Sequence, residues 1–147
     1  MTNKNRKKII KLFISQQKSS HRIEMDTLTL DEKGVLNDKF YNKNIDRSIL
    51  ISSIDSYTLA ANNNIVLKYG LLGENIIVNF NPYTLKIGTI LKIGTTELMI
   101  SQPCTICDHL TKIDVKLPKL LQKDRGIFAK VIKPGSITLA DEIHILN

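Results

Sequence analysis

The chain has 147 residues, of which 42% are hydrophobic and 24% are charged. These values match those of globular proteins and exclude a disordered, collagen-like or coiled-coil chain. The length favours one domain over residues 1–147, since two domains would each be undersized. No apolar run reaches the roughly 18 residues of a membrane-spanning helix, so we expect no membrane association.

Basic residues outnumber acidic ones, 21 to 14, which gives a formal net charge of +7. Such a surface attracts anions, among them nucleic acid, phosphorylated cofactors and acidic lipids. Aromatic residues make up only 5% of the chain and Trp is absent, which argues against nucleic-acid recognition. Basic residues are dense at the start of the chain, and we predict a flexible basic tail over residues 1–8. No secretory signal pattern is visible and only two cysteines occur, so we expect a cytoplasmic protein.

The first half of the chain is predicted to form short strands near residues 10–14 and 25–30, followed by a polar loop over residues 31–44. Apolar alternation then predicts a strand in which Arg47 shares one face with Ile45, Ile49 and Ile51. A guanidinium on a core face needs an anionic partner, because an unpaired buried charge is very costly. Arg47 is therefore expected to meet a protein carboxylate or a ligand phosphate.

A helix is predicted after Ser53, which is a suitable N-cap, and the Asn run at residues 62–64 is expected to end it. Strands are then predicted at residues 65–67, 76–80, 89–93, 97–101, 127–131 and 142–146, and a second helix over residues 106–117 that Pro118 ends or restarts. Strands in runs, without regular strand–helix–strand alternation, favour a mainly β fold. We predict a mixed or antiparallel β-barrel of seven to eight strands with a few short helices.

Cys104 is the strongest single candidate for chemistry. It follows Pro103 and precedes the predicted second helix, whose positive dipole end would stabilise a thiolate. A thiolate is both a nucleophile and a metal ligand. The alternative is an inert, buried cysteine.

Cys107 completes a C-x-x-C pair with Cys104. The pair could act as a redox dithiol, or it could join His109 in a zinc site, although no second ligand cluster occurs in the sequence. The alternative for Cys107 is simple packing.

Two further motifs contain glycine. Residues 70–75, Gly-Leu-Leu-Gly-Glu-Asn, form a predicted turn that can bring backbone close to a ligand, or an ordinary strand connection. Arg125-Gly126 precedes a predicted strand.

Taken together, these motifs resemble the MOSC domain, named after the C-terminal domain of molybdenum cofactor sulfurase. Four pieces carry the resemblance in order within residues 31–146: NDKFYNKNIDRSILIS, GLLGENIIV, GTILKIGTTELMISQPCTIC and RGIFAKVIKPGSITLADEIHI. The opening KIIKLFIS is similar to the first strand of the family, so nearly the whole chain is covered.

The resemblance implies a β-rich, barrel-like fold and a molybdenum–pyranopterin cofactor, or the handling of sulfur destined for one. Cys104 falls on the signature cysteine, as a molybdenum ligand or persulfide carrier. The resemblance places the implied cofactor-binding residues at Arg47, Gly73, Glu74, Asn75 and Arg125, and Lys39 would add positive charge. The chain departs from the family pattern at Lys39, where His is common, at Gln102, where Arg is common, and at Ala140, where Gly is common.

Two mechanisms fit the resemblance. Cys104 would ligate molybdenum in a protein that reduces N-hydroxylated compounds with electrons from a partner reductase, or it would carry sulfur as a persulfide between a donor and an acceptor. A pyridoxal phosphate of its own is not expected, because the desulfurase domain of larger relatives is missing from this sequence. The alternative function is a non-catalytic basic module that binds an anionic ligand or nucleic acid.

Overall fold

Eleven strands are found in the described part of the chain, which comprises residues 6–17, 22–105 and 108–146 of the computed structural model. The strands are β1 Ile9–Ser15, β2 Arg22–Met25, β3 Thr27–Asp31, β4 Gly34–Val35, β5 Ile49–Ser53, β6 Ile76–Val78, β7 Ile90–Ile93, β8 Thr96–Pro103, β9 Ile127–Lys133, β10 Gly135–Thr138 and β11 Ile143–Leu146. Eight of them form one sheet in the order β11-β7-β8-β9-β5-β6-β1-β2, and three form a second sheet in the order β10-β3-β4. Neighbouring strands are antiparallel except β5 and β6, which run parallel and are connected through a helix.

The eight-stranded sheet is open. Its outer strands β2 and β11 each pair on one side only within the described residues, and no ladder joins them. The prediction of a mainly β fold with a few short helices is confirmed, whereas the predicted closed barrel is not supported, because closure requires that missing ladder.

The core lies on both faces of the larger sheet. One face packs against the small sheet, and its cluster includes Leu12, Ile51, Leu28 and Ile137. The opposite face packs against the helices through a second cluster that includes Phe13 and Leu110. Because β5 lies in the middle of the sheet, all five of its residues are buried. Each fully buried Leu or Ile side chain contributes about 1.5–3 kcal/mol to folding.

The first helix, α1 Ile54–Asn62, follows the prediction closely. The Ser53 hydroxyl accepts a hydrogen bond from the Asp55 N–H at 3.0 Å, which makes Ser53 the N-cap. Asn64 adopts a left-handed φ of 64° after the helix ends. The strand predicted at residues 65–67 is wrong, because the Ile65 N–H donates to the Ala60 carbonyl in the helix cap and Val66 is 90% exposed.

The helix predicted over residues 106–117 is two short helices, α2 Asp108–Ile113 and α3 Leu117–Leu120. Between them the Asp114 carboxylate accepts the Lys116 N–H at 2.8 Å, so a local side-chain turn competes with helical bonding. Pro118 lies in the first turn of α3, where its missing N–H costs nothing, rather than ending a helix. No helix in the described ranges combines the length and apolarity of a membrane span.

The predicted strand that began at Ile45 is also corrected. Ile45–Arg47 form a 3-10 helix capped by the Asn44 side chain, which accepts the Asp46 N–H, and β5 starts only at Ile49. Ile45 is 43% exposed, so the face it was expected to share with Arg47 is not a core face.

Part of the predicted basic tail is bonded to the fold. Lys8 forms an isolated bridge with Glu142 and donates its N–H to the Asn79 side chain at 2.8 Å. Arg6 pairs with the Glu142 carboxylate at 2.6 Å. Residues 1–5 lie outside the described residues.

Candidate functional site

A cavity of about 770 Å³ opens beside the ends of β1, β2 and β8. Among the described residues, six cationic side chains and one carboxylate, that of Glu24, line it. The cations are Arg22, Lys39, Lys43, Arg47, Lys68 and Arg125. The apolar part of the wall includes Phe13, Phe40, Leu50, Leu72 and Phe128. A space of this size, apolar with convergent positive charge, suits a small anionic ligand that carries a ring system.

Cys104 lies in the wall of this cavity. It directly follows β8, and its N–H donates to the Gly126 carbonyl at 3.0 Å, which ties it to the start of β9. The residue is 4% exposed and packs with Leu50 and Phe128. The cavity therefore gives a small molecule access to the thiol.

Within the described residues α2 begins at Asp108, four positions after Cys104. The expected support of Cys104 by the start of a helix at Ile106 stays a prediction. Ile106 and Cys107 lie outside the described residues, so the dithiol and zinc hypotheses for Cys107 remain untested. His109 contacts the Leu71 carbonyl through Nε2 at 2.7 Å. In the described part of the chain, no group of three or more His, Cys, Asp or Glu side chains is placed to hold a metal ion.

Arg47 lines the cavity, although not from a core face. Its guanidinium carbon lies 5.4 Å from the centre of the Phe128 ring, an arrangement typical of cation–π stacking. The residue is exposed, so the charge needs no buried partner. The 3-10 helix therefore presents Arg47 at the cavity mouth, above the ring that contacts Cys104.

The Gly73-Glu74-Asn75 motif divides between the cavity and the interior. Gly73 and Asn75 line the same cavity as Cys104, whereas Glu74 does not. Glu74 is fully buried, and its Oε2 accepts hydrogen bonds from the Ser52 hydroxyl and the Tyr57 hydroxyl, both at 2.5 Å. The other oxygen, Oε1, is buried and has no hydrogen-bond partner among the described residues.

Asn75 connects strands rather than offering free polar atoms. Its Oδ1 accepts the Leu50 N–H at 3.0 Å and its Nδ2 donates to the Phe13 carbonyl at 3.2 Å. The Asn75 backbone also bonds to both residues, at 2.8 Å each. Asn75 directly precedes β6, which lies between β1 and β5, and it links these two strands at the edge of the cavity.

Arg125 and Lys39 both line the cavity, at different depths. Arg125 is 5% exposed, and its Nη1 donates to the Leu72 carbonyl at 2.6 Å. Gly126 leaves room for the neighbouring strand, since a Cβ there would lie 2.9 Å from a Leu50 methyl carbon. Lys39 is only partly buried, and its ammonium lies 5.1 Å from the centre of the Phe40 ring.

Sequence reasoning missed Arg22 and Asp38. The buried Asp38 carboxylate accepts the N–H groups of Ser15 and Phe40, at 2.7 and 3.1 Å, and so holds the loop before the 3-10 helix. Arg22 lines the cavity from β2. Only four Arg occur in the chain against 17 Lys, and this scarcity is the one sequence signal that could have drawn attention to Arg22.

Burial and neighbouring charges shift the pKa values of Arg22 and Tyr57 at this site. Burial lowers the pKa of Arg22, and Arg125 lowers it further, against the opposing attraction of Asp38 and Glu74. Burial also raises the pKa of Tyr57 well above its usual range, and the negative charge of Glu74 adds to this effect.

Comparison with known proteins gives one family match and several similar structures. The family model described as MOSC domain matches residues 32–144. The search of curated proteins gave no match. The YuaD protein from Bacillus subtilis is 22% identical with a TM-score of 0.78, and 93% of each chain is covered. YiiM from Geobacillus stearothermophilus is 15% identical with a TM-score of 0.78, over 96% of this chain and 75% of that one. YiiM from Escherichia coli is 20% identical with a TM-score of 0.68, over 94% and 70%. These structural likenesses establish the shared fold.

Proposed function

The chain belongs to the MOSC domain family, whose members are generally linked to the molybdenum cofactor, and we propose that its cavity binds a molybdenum–pyranopterin cofactor with the Cys104 thiol as a ligand to the metal. The observation that carries this proposal is the position of Cys104, which is nearly buried in the wall of a large cavity to which the described residues contribute six cationic side chains.

The donor set fits such a group. A sulfur atom is a suitable soft ligand for a sulfur-bearing molybdenum centre, and guanidinium groups suit phosphate. Arg47 and Arg125 would hold the anionic parts with help from Lys39, while Gly73 and Asn75 supply the wall beside them. When bound, the group would supply redox chemistry at its metal.

The burial of Cys104 favours metal ligation over sulfur carriage. A persulfide carrier must present its sulfur to a donor and then to an acceptor, whereas a thiol that is 4% exposed meets only molecules that fit the cavity. Glu74 has no place among the ligand contacts, because its carboxylate is turned into the interior. We propose that it positions the wall of the cavity instead.

Metal and pterin analysis tests the proposal directly. The wild-type protein is produced in a host with intact cofactor synthesis, next to Cys104→Ser and Cys107→Ser, and molybdenum and pterin are measured per chain after gel filtration. Cys104→Ser should retain about tenfold less molybdenum or worse, since even residues that only orient a metal ligand cost about 10–100-fold in affinity when changed. Cys107→Ser should retain the wild-type content.

Wild-type protein without molybdenum, or equal molybdenum in Cys104→Ser, would overturn the proposal. Cyanide-releasable sulfur on Cys104 without molybdenum would assign the chain to sulfur carriage instead. If the wild-type protein does contain molybdenum, it would be assayed with N-hydroxylated compounds and a separate reductase as the electron source.

A further inference from the structure

The side chain of Arg22 lies along a track made by two glycines. Gly70 and Gly73 both have left-handed backbone, with φ of 96° and 86°. A Cβ at Gly70 would lie 3.5 Å from Arg22 Cβ, and a Cβ at Gly73 would lie 3.1 Å from Arg22 Nη2. The Arg22 stem therefore lies over the first glycine and its guanidinium over the second.

The guanidinium of Arg22 has no carboxylate partner within the described residues. Every salt bridge found there, at a limit of 4.0 Å between nitrogen and oxygen, involves other residues. Asp38 and Glu74 attract Arg22 from a greater distance. The Asp38 carboxylate accepts backbone N–H groups, and Glu74 Oε2 accepts the hydroxyl groups of Ser52 and Tyr57. The positive charge of Arg22 is thus held in the cavity wall without a close counter-ion among the described residues.

A second guanidinium lies against the same loop. Arg125 donates to the Leu72 carbonyl, next in sequence to Gly73, and it repels Arg22 electrostatically. Both side chains line the cavity. Two like charges held together in a partly dry wall are stabilised when an anion lies between them, and guanidinium groups bind tetrahedral oxyanions through paired N–H bonds.

We propose that Arg22 and Arg125 form an oxyanion subsite of the cavity, which binds the phosphate of a phosphomonoester ligand. The assignment rests on the proposed function, since the phosphomonoester would be the phosphate end of the pterin cofactor. It adds Arg22, which no sequence motif marks, and it gives the two glycines a specific purpose.

Binding of inorganic phosphate tests the subsite without any metal or pterin. The affinity of purified cofactor-free protein for phosphate is measured by calorimetry for the wild type, Arg22→Gln, Arg22→Lys and a control, Lys92→Gln. Lys92 is an exposed residue of β7 that does not line the cavity, so its substitution removes the same charge elsewhere. Thermal melting of each variant confirms that it is folded.

Arg22→Gln should weaken phosphate binding by about tenfold or more, because hydrogen bonds between charged groups are among the strongest in proteins. Arg22→Lys should fall between Arg22→Gln and the wild type, since it keeps the charge and loses the planar fork. Lys92→Gln should stay within about twofold, because an exposed distant charge is largely screened. Wild-type protein that does not bind phosphate, or equal binding by Arg22→Gln and the wild type, would overturn the subsite. If Arg22→Gln does not fold, Arg22→Lys provides the test: weaker phosphate binding than the wild type supports the subsite, and equal binding overturns it.

The source of the oxyanion is tested separately in the cofactor-producing host. Loss of pterin from Arg22→Gln supports a phosphomonoester, whereas full pterin retention would overturn that assignment and leave a site for free oxyanions. If wild-type protein binds phosphate through Arg22 but never acquires molybdenum or pterin, the proposed function fails and the subsite stands. If cofactor is retained while phosphate binding ignores Arg22, only the subsite fails.

Discussion

Tyr57 and Glu74 form a buried, hydrogen-bonded polar pair near the cavity. The Tyr57 hydroxyl donates to Glu74 Oε2 at 2.5 Å and accepts the Gly70 N–H at 3.1 Å, so one side chain connects α1 to the glycine loop. Ionising Tyr57 would place a phenolate in the interior beside a carboxylate. Burial first, and then the charge of Glu74, therefore raise the pKa of Tyr57 far above its usual value.

We predict that this pair makes the protein sensitive to alkali. A pKa raised in the folded state leaves stability intact below the unfolded pKa of about 10 and reduces it as the pH rises beyond, by up to about 1.4 kcal/mol per pH unit for one group. Tyr57→Phe should be less stable at neutral pH by about 1–3 kcal/mol, because Glu74 loses a donor. Above pH 10 its free energy of unfolding should fall less steeply than that of the wild type.

Urea unfolding at a series of pH values measures both effects. The pKa of Tyr83 is also raised by burial, but Tyr83 is present in both proteins, so the difference between the two curves isolates Tyr57. Parallel curves above pH 10 would show that Tyr57 does not carry the effect.

Individual site residues were predictable from sequence only where a local motif marks them. Cys104, Gly73 and Asn75 were named from motifs, and all three line the cavity. Arg22 and Asp38 carry no local signal, because their neighbours in the fold come from distant segments. The placement of Arg47 on a strand failed because the Asn44 cap imposes a helical turn where alternation alone suggested extended chain.

At the scale of elements, the loop of residues 70–75 organises the cavity. Its backbone forms hydrogen bonds with three side chains: Tyr57 from α1, Arg125 from the segment before β9 and His109 from α2. Three elements therefore converge on one loop. A change in the path of this loop would move several cavity residues together.

Two glycine substitutions separate backbone strain from the Arg22 contact. Gly73→Ala and Gly88→Ala both place alanine at a left-handed φ, of 86° and 96°, and each should cost about 1–3 kcal/mol of stability. A Cβ at Gly88 meets nothing within 4 Å, whereas one at Gly73 presses on the Arg22 guanidinium. Gly73→Ala should therefore weaken phosphate binding, and Gly88→Ala should leave it unchanged. Chemical unfolding and phosphate calorimetry on both variants check this, and equal phosphate affinities would mean that the glycine does not position Arg22.

Elements with clear end signals were predicted well. The Ser53 cap and the Asn run set both ends of α1. The longer helix prediction failed at Asp114, whose side chain closes a turn that apolar spacing does not reveal. Sequence periodicity thus identified α1 and most of the longer strands, but it missed the short strands β2, β4 and β10. Side-chain bonds to backbone decided where other elements break.

At the scale of the whole molecule, the sequence indicated a mainly β chain but not whether its larger sheet closes into a barrel. Closure depends on pairing between β2 and β11, which are far apart in sequence, and no local pattern records that pairing. The parallel contact of β5 with β6 depends likewise on the return of the chain through α1 and the glycine loop.

The cationic side chains that line the cavity lie in two layers, which respond differently to salt. Lys43 and Lys68 are exposed at the mouth, whereas Arg125 is 5% exposed and Arg22 is partly buried. Raising the salt concentration from about 0.1 M to about 1 M shortens the Debye length from about 10 Å to about 3 Å, which screens exposed charges much more than buried ones.

We therefore predict that the two layers separate in a salt titration of phosphate binding. The double variant Lys43→Gln/Lys68→Gln should bind phosphate more weakly than the wild type at about 0.1 M salt and match it at about 1 M, because the rim acts only through long-range attraction. Arg22→Gln should remain weaker at both concentrations, because its contact is short-ranged and shielded from ions. Calorimetry with sodium chloride as the added salt measures all three proteins. Convergence of Arg22→Gln with the wild type at high salt would place Arg22 in the screened outer layer, and the anion would then be held by general attraction to the cavity instead of a built subsite.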